Sequence, residues 1–201
     1  MQKRRLNTRA ITMMAMLGAI AAILMFFEIS LPFTLEFIKL DFSDLPILLS
    51  GFLFGPALGA VTAVIKIALK LVFKPTSTMY VGELSNLILA ISFEAIASAY
   101  YRKHRTKKGA VIGLIISTLC TSVIAVISNW LVIFPFYVEM FHMSMANIIK
   151  MAHAVAPWVS NELTMFTTSV FPFNIVKYGL VSLITFFIYK PLSGVIKKYI
   201  Q

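Results

Sequence analysis

Three short polar groups interrupt an otherwise greasy chain: Glu83, Ser85 and Asn86; Ser128, Asn129 and Trp130; and Asn174 with Lys177. An asparagine amide carries both a donor and an acceptor, so it can read a carbonyl and an N–H on one edge of a ring. Trp130 can stack on such a ring or supply an apolar wall. Together these residue types suit non-covalent capture of a planar, polar-edged molecule. They equally suit amides that cross-link helices within a bundle, worth about 1 kcal/mol each. A line of lysines, Lys66, Lys70 and Lys74, follows at one-turn spacing. A charge at mid-bilayer costs roughly 2.5–3.5 kcal/mol, so each lysine must reach a headgroup, a cavity or an acid. Glu94 is the candidate partner within the apolar tracts, and it also suits a role facing the cytoplasmic side.

Chemistry of other kinds lacks its residues. The sequence has no Gly-rich phosphate loop, so ATP hydrolysis of that type is not expected in this chain. His104, His142 and His153 are too scattered for a metal site, and no linear motif marks a nucleophile with its base. The single Cys120 sits in an apolar run and supports neither a disulfide framework nor a thiolate metal site.

The elements that must position these groups are membrane spans. The chain has 201 residues, of which 59% are hydrophobic and 13% charged, and its mean hydropathy is +0.88. A soluble domain carries about 25% charge, and a chain this short cannot hide so much apolar surface from water. The net charge of +10 lies at the chain ends and in one internal patch without interleaved aromatics, so nucleic acid is not an expected partner; membrane lipid is. Residues 10–27 form a first span of 18 residues, about 27 Å of helix. No small-residue cleavage site follows, so it reads as a retained helix. The tract 45–73 is too long for one span, and Gly55-Pro56 breaks it into helices at about 45–54 and 56–73. Further helices fall at about 84–101, 109–134 and 171–189, within a single transmembrane domain covering residues 1–201 and lacking internal repeats.

Charge sets the orientation. Lys3, Arg4, Arg5 and Arg9, the patch Arg102, Lys103, Arg105, Lys107 and Lys108, and the tail bearing Lys190, Lys197 and Lys198 should all face the cytoplasm. They can do so only if residues 45–73 cross twice. The expected fold is therefore all-α, with six transmembrane helices and both termini cytoplasmic. Outward loops then span 28–44, 74–83 and 135–170, and the three polar groups fall at similar depth near the outer face. The loops contain Phe33, Leu35, Phe37, Trp158 and other apolar residues, so they either fold over something or lie on the lipid surface. On the first helix Ala15, Gly18, Ala19 and Ala22 form a small-residue strip. It permits close approach of a neighbouring helix or of another membrane subunit.

Several of these stretches resemble one family. Asp41-Phe42-Ser43-Asp44-Leu45-Pro46, then Gly51-Phe52-Leu53-Phe54-Gly55-Pro56 with Gly59-Ala60, is similar to the second and third helices of the substrate-binding S components of energy-coupling factor (ECF) vitamin importers. The spacing of Ala15 and Ala19 matches that family's first helix. Phe171-Pro172-Phe173-Asn174 with Lys177 and Tyr178 resembles its riboflavin-specific members. The resemblance implies a six-helix fold whose outward cavity is roofed by the loop between helices 1 and 2. It implies high-affinity riboflavin binding with no catalytic cofactor and no reaction on this chain. It also implies partnership with an ECF transmembrane coupling subunit and two cytoplasmic ATPase subunits in a bacterial plasma membrane. Toppling of the S component, driven by ATP hydrolysis elsewhere, would deliver the ligand. The ligand-binding set would be Asn129, Trp130, Asn174, Lys177, Glu83 and Asn86, with Phe33, Lys39, Leu40 and Asp41 closing the lid. The strip Ala15, Gly18, Ala19 and Ala22 would meet the coupling subunit. The alternatives are an S component for another vitamin or a flavin phosphate such as FMN, a self-sufficient secondary transporter, and a membrane enzyme acting on lipid.

Overall fold

A computed structural model describes residues 8–31, 34–35 and 38–200, with side chains as far as residue 188. In chain order it contains α1 (Thr8–Phe26), β1 (Ile29–Ser30), β2 (Lys39–Leu40), α2 (Asp44–Phe54), α3 (Pro56–Phe73), α4 (Val81–Lys103), α5 (Lys107–Ser128), α6 (Phe134–Phe141), α7 (Met145–Val155), α8 (Glu162–Met165) and α9 (Phe171–Ile200). The fold is helical apart from the two-residue strands. These pair antiparallel, Ile29 with Leu40 and Ser30 with Lys39, and pin the ends of the first loop together.

Among the described residues five helical rods are long and apolar enough to cross a membrane: α1, α3, α4, the stretch Lys107–Phe141 and the stretch Glu162–Ile188. Their sequences are amphipathic in the membrane sense. On α5 the residues facing inward are mostly small, Gly109, Ala110, Gly113, Ser117, Thr118, Thr121, Ser122, Ala125 and Ser128, with Leu114 the one large apolar side chain among them. The residues facing outward are Ile112, Ile115, Leu119, Val123 and Ile127, recurring every three or four positions. Large apolar side chains thus meet lipid while small ones let helices approach. α4 packs on α5 and α3, α1 on α3 and α2, and α9 on α5 and α2.

α2 has 11 residues, about 16 Å of helix, roughly half of the ~30 Å hydrocarbon core. It lies almost wholly within protein, with Ile47, Leu48, Phe52 and Leu53 buried. Gly55 makes the corner into α3 with φ +100°, a conformation L side chains rarely adopt, and Pro56 opens α3 where its missing N–H costs nothing. The pair is stapled by Ser50 and Thr62, whose hydroxyls lie 2.7 Å apart.

Glu94 does not pair with a lysine. It is fully buried where α4 meets α2 and α3, accepts a hydrogen bond from Ser98 at 2.8 Å, and lies against the Cα atoms of Gly51 and Gly59. A methyl group at either glycine would overlap its carboxyl. The lysines find other acids because those acids, Asp44 and Glu83, sit at helix starts facing α3.

Two rods run longer than hydropathy alone suggests. A π-helical turn at Asn129–Ile133 joins α5 to α6, carrying the fifth rod to Phe141, and a second at Phe166–Val170 joins α8 to α9. The last rod therefore starts at Glu162, under a capping box in which Asn161 and Thr164 exchange hydrogen bonds. Between the rods lies α7, opened by Ser144, whose side chain accepts from the Asn147 N–H.

Candidate functional site

The polar ends of α3, α4, α5 and α9 converge with the first loop on one cavity of about 380 Å³, a size suited to a small organic ligand. Its deep groups are Asp41, Asn129, Asn174 and Lys177, each less than one-tenth exposed. Its walls include Leu89, Ile133, Tyr137, Val170 and Phe173, and its mouth carries Glu28, Lys39, Lys74 and Thr78.

Each π-helical turn borders this cavity: Asn129 and Ile133 come from one, Val170 from the other. Such turns recur at functional sites because the extra residue redirects the side chains around it. Asn129 Nδ2 donates to the Ala125 carbonyl at 2.7 Å, and Asn174 Nδ2 donates to the Val170 carbonyl at 2.8 Å. One N–H of each amide is thereby fixed on the backbone four residues earlier. The amide oxygens, both acceptors, remain for the cavity.

Beneath the loop lies a buried charge network. Lys177 Nζ is 2.9 Å from Asp41 Oδ2 and 3.4 Å from Asp44 Oδ2. Lys66 Nζ is 3.0 Å from Asp44 Oδ1 and also donates to Ser43 Oγ and Asn86 Oδ1. Ser43 in turn donates to Asp41 through its backbone N–H at 2.8 Å and through its hydroxyl. Burial opposes the charge on Asp41, but the fields of Lys177 and Lys66, with hydrogen bonds from Ser43 and Lys177, outweigh it and bring its pKa down to about 2. Asp41 is thus an ionised anchor that fastens the first loop to α9, 136 residues away.

The second loop is fixed in the same manner. Glu83 pairs with Lys70 and accepts from Thr76 Oγ1 at 2.9 Å and Thr78 Oγ1 at 3.0 Å. At the mouth Glu28 bridges Lys74 at 2.7 Å and Lys39 at 3.2 Å. Partial burial works against its ionisation, yet the hydrogen bonds from Lys74 and Lys39 hold its carboxyl below the usual carboxylate range.

Of the residues expected from sequence, Asn129, Asn174, Lys177, Glu83, Asn86, Lys39 and Asp41 line this cavity. Trp130 does not. It is 56% exposed on the lipid side, because neighbours on a helical turn point roughly a quarter-turn apart and Asn129 already takes the inward direction. A tryptophan near the end of a span suits the membrane interface instead. Leu40 is buried opposite Ile29 and holds the loop's base rather than lining the cavity. Phe33 lies outside the described residues. The strip on α1 divides: Gly18 and Ala22 are buried, with Gly18 facing Ile65 of α3, whereas Ala15 is exposed and Ala19 partly so. Gly18 and Ala22 therefore serve packing within the chain, since a Cβ at Gly18 would come within 2.6 Å of Ile65 Cγ2.

Sequence reasoning passed over Asp44, Ser43, Glu28 and Tyr137. For the acids, the signal was complementarity, with three lysines on one face of α3 and acids at Glu28, Asp44 and Glu83. Tyr137 falls within 135–170, expected to be loop, and is reached only because the π-helical turn continues the rod.

The family described as "ECF transporter, substrate-specific component" matches residues 9–189. This chain belongs to that family. Among relatives of this S component, the riboflavin transporter RibU of Staphylococcus aureus is 33% identical over 193 residues, covering 96% of this chain and 94% of its own. The riboflavin transporter FmnP of Bacillus subtilis is 24% identical, covering 90% of each. A solved structure described as the S component of a bacterial ECF transporter superposes with a TM-score of 0.74 at 29% identity, covering 94% of this chain and 98% of that one. The cavity and its charge network therefore sit on an S-component scaffold spanning nearly the whole chain.

Proposed function

We propose that this chain is the riboflavin-binding subunit of an ATP-driven ECF importer, a multi-pass protein of the bacterial cell membrane. The observation that carries the reading is the cavity in which Asn129 and Asn174 present two fixed acceptors beside apolar and aromatic walls, beneath a loop anchored by Asp41 and Lys177. The isoalloxazine ring is flat, with a dimethyl end for the apolar walls and a polar edge for the amides. Relatives named riboflavin transporters point to the same ligand. The chain binds and does no chemistry.

Six crossings, with α2 and α3 counted separately, would place both termini and the patch Arg102 to Lys108 in the cytoplasm and the cavity mouth outside. A membrane coupling subunit and two ATPases would supply the movement, and the edge of α1 bearing exposed Ala15 and half-buried Ala19 offers the coupling subunit a close approach. The protein purified from riboflavin-grown cells should carry a yellow flavin that is released on denaturation. A colourless preparation from such cells, with the protein folded, would contradict the reading. Labelling of a cysteine placed at residue 105 only from the outside of intact cells would overturn the orientation.

A further inference from the structure

Every lysine lining the cavity has a carboxylate partner: Lys177 has Asp41 and Asp44, Lys70 has Glu83, and Lys39 and Lys74 share Glu28. The deep pairs are buried, with side-chain exposures of 7% or less, so they cannot be lent to a ligand without leaving an acid unpaired. At the mouth the arrangement differs. One carboxylate, 22% exposed, divides its two oxygens between a lysine on the first loop (37% exposed) and a lysine at the end of α3 (47%). Among the described residues lining the cavity, only there do cations combine access to water with an incomplete share of negative charge.

We infer that Glu28 is a specificity-determining residue. By occupying Lys39 and Lys74 it makes the mouth a poor site for a phosphomonoester, so the chain favours the uncharged vitamin over its 5′-phosphate. The inference rests on the riboflavin reading above. A phosphomonoester carries about −1.5 to −2 charges at neutral pH. Desolvating that charge in the deep cavity finds no unpaired cation, so the group must remain at the mouth. There it competes with Glu28 for the same two ammonium groups and faces the Glu28 carboxylate at close range.

Glu28→Gln keeps the size and an acceptor oxygen for one lysine, and removes the charge. At a separation near 6 Å and an intermediate dielectric, one unit of charge acting on the phosphate corresponds to roughly tenfold or more in affinity. Loosening of the loop by the same substitution affects both ligands alike, so the readout is the ratio of FMN to riboflavin dissociation constants, measured by flavin fluorescence quenching on the purified full chain. E28Q should shift that ratio at least about tenfold towards FMN at low salt, and the shift should shrink as ionic strength rises. Lys74→Gln should shift it the opposite way, which keeps the inference testable if one variant folds poorly. Wild type that binds riboflavin, with an unchanged ratio in E28Q and K74Q, would overturn the role of Glu28 alone. Wild type that binds no riboflavin would overturn the functional reading and this inference with it.

Discussion

Replacing Lys177 by methionine tests the anchor beneath the loop. The substitution preserves most of the apolar stem and removes an ammonium 2.9 Å from Asp41 and 3.4 Å from Asp44. Lys66 still serves Asp44, and Asp41 keeps only Ser43 and the more distant field of Lys66. Breaking a buried pair by removing one partner costs about 3–5 kcal/mol. Because this pair adjoins a cavity that water can enter, the cost falls to the bottom edge of that range or just below it, about 2–3 kcal/mol. If the anchored loop is the binding-competent state, the apparent affinity falls with its population, by at most roughly 30- to 150-fold. Asp41→Asn should cost a similar amount. The double variant should be little worse than either single, since one interaction is lost in all three. Fluorescence titration with riboflavin reads these values. The sign of the pH dependence follows from the lowered pKa of Asp41. The anchor's contribution is complete above the ordinary carboxylate value of about 3.9 and disappears as pH falls through about 2. This anchor should therefore add no pH dependence to binding between about pH 5 and 8. Unchanged affinity in both single variants, or strictly additive losses in the double variant, would refute the anchor.

Truncating Asn129 or Asn174 to alanine should weaken riboflavin binding roughly tenfold, as expected for leaving a buried ligand donor unpaired at ~1–3 kcal/mol. Trp130→Ala, on the lipid side, should leave the dissociation constant within about twofold in the same titration. Gly51→Ala should lower the thermal unfolding temperature in detergent by an overpacking cost of ~1–3 kcal/mol, and adding Glu94→Ala should recover part of it; a double variant no more stable than the single would remove the glycine notch as the cause. Ala15→Trp should block co-purification with the coupling module and spare riboflavin binding. Gly18→Leu should instead lower stability of the chain alone, because Ile65 already fills its space.

Elements whose physics is local were legible in the residues. The break at Gly55-Pro56 followed from backbone geometry, and the convergence of Asn129, Asn174 and Lys177 on one cavity followed from hydropathy and charge bias. What could not be read was the direction of single side chains. Neighbouring Asn129 and Trp130 were grouped because they share a depth, but a helix sends them to opposite environments. Hydropathy has no signal for a π-helical turn, so neither the reach of the rod to Tyr137 nor the start of the last rod at Glu162 was accessible. Charge pairing failed for a different reason. Glu94 was a candidate partner for the lysines of α3 because it lies within a span, whereas Asp44 lies at the far end of a loop. Only the folding of α2 against α3 brings Asp44 to Lys66 and leaves Glu94 against two glycines.

The central claim is that the cavity beneath the first loop binds riboflavin. Its direct test is titration of the purified, flavin-stripped chain with riboflavin, followed by flavin fluorescence and repeated with Asn174→Ala. Saturable quenching is expected at one flavin per chain, with a dissociation constant below about 1 μM and a weaker one in the variant. Absence of quenching by folded protein, or equal affinity in the two proteins, would contradict the claim.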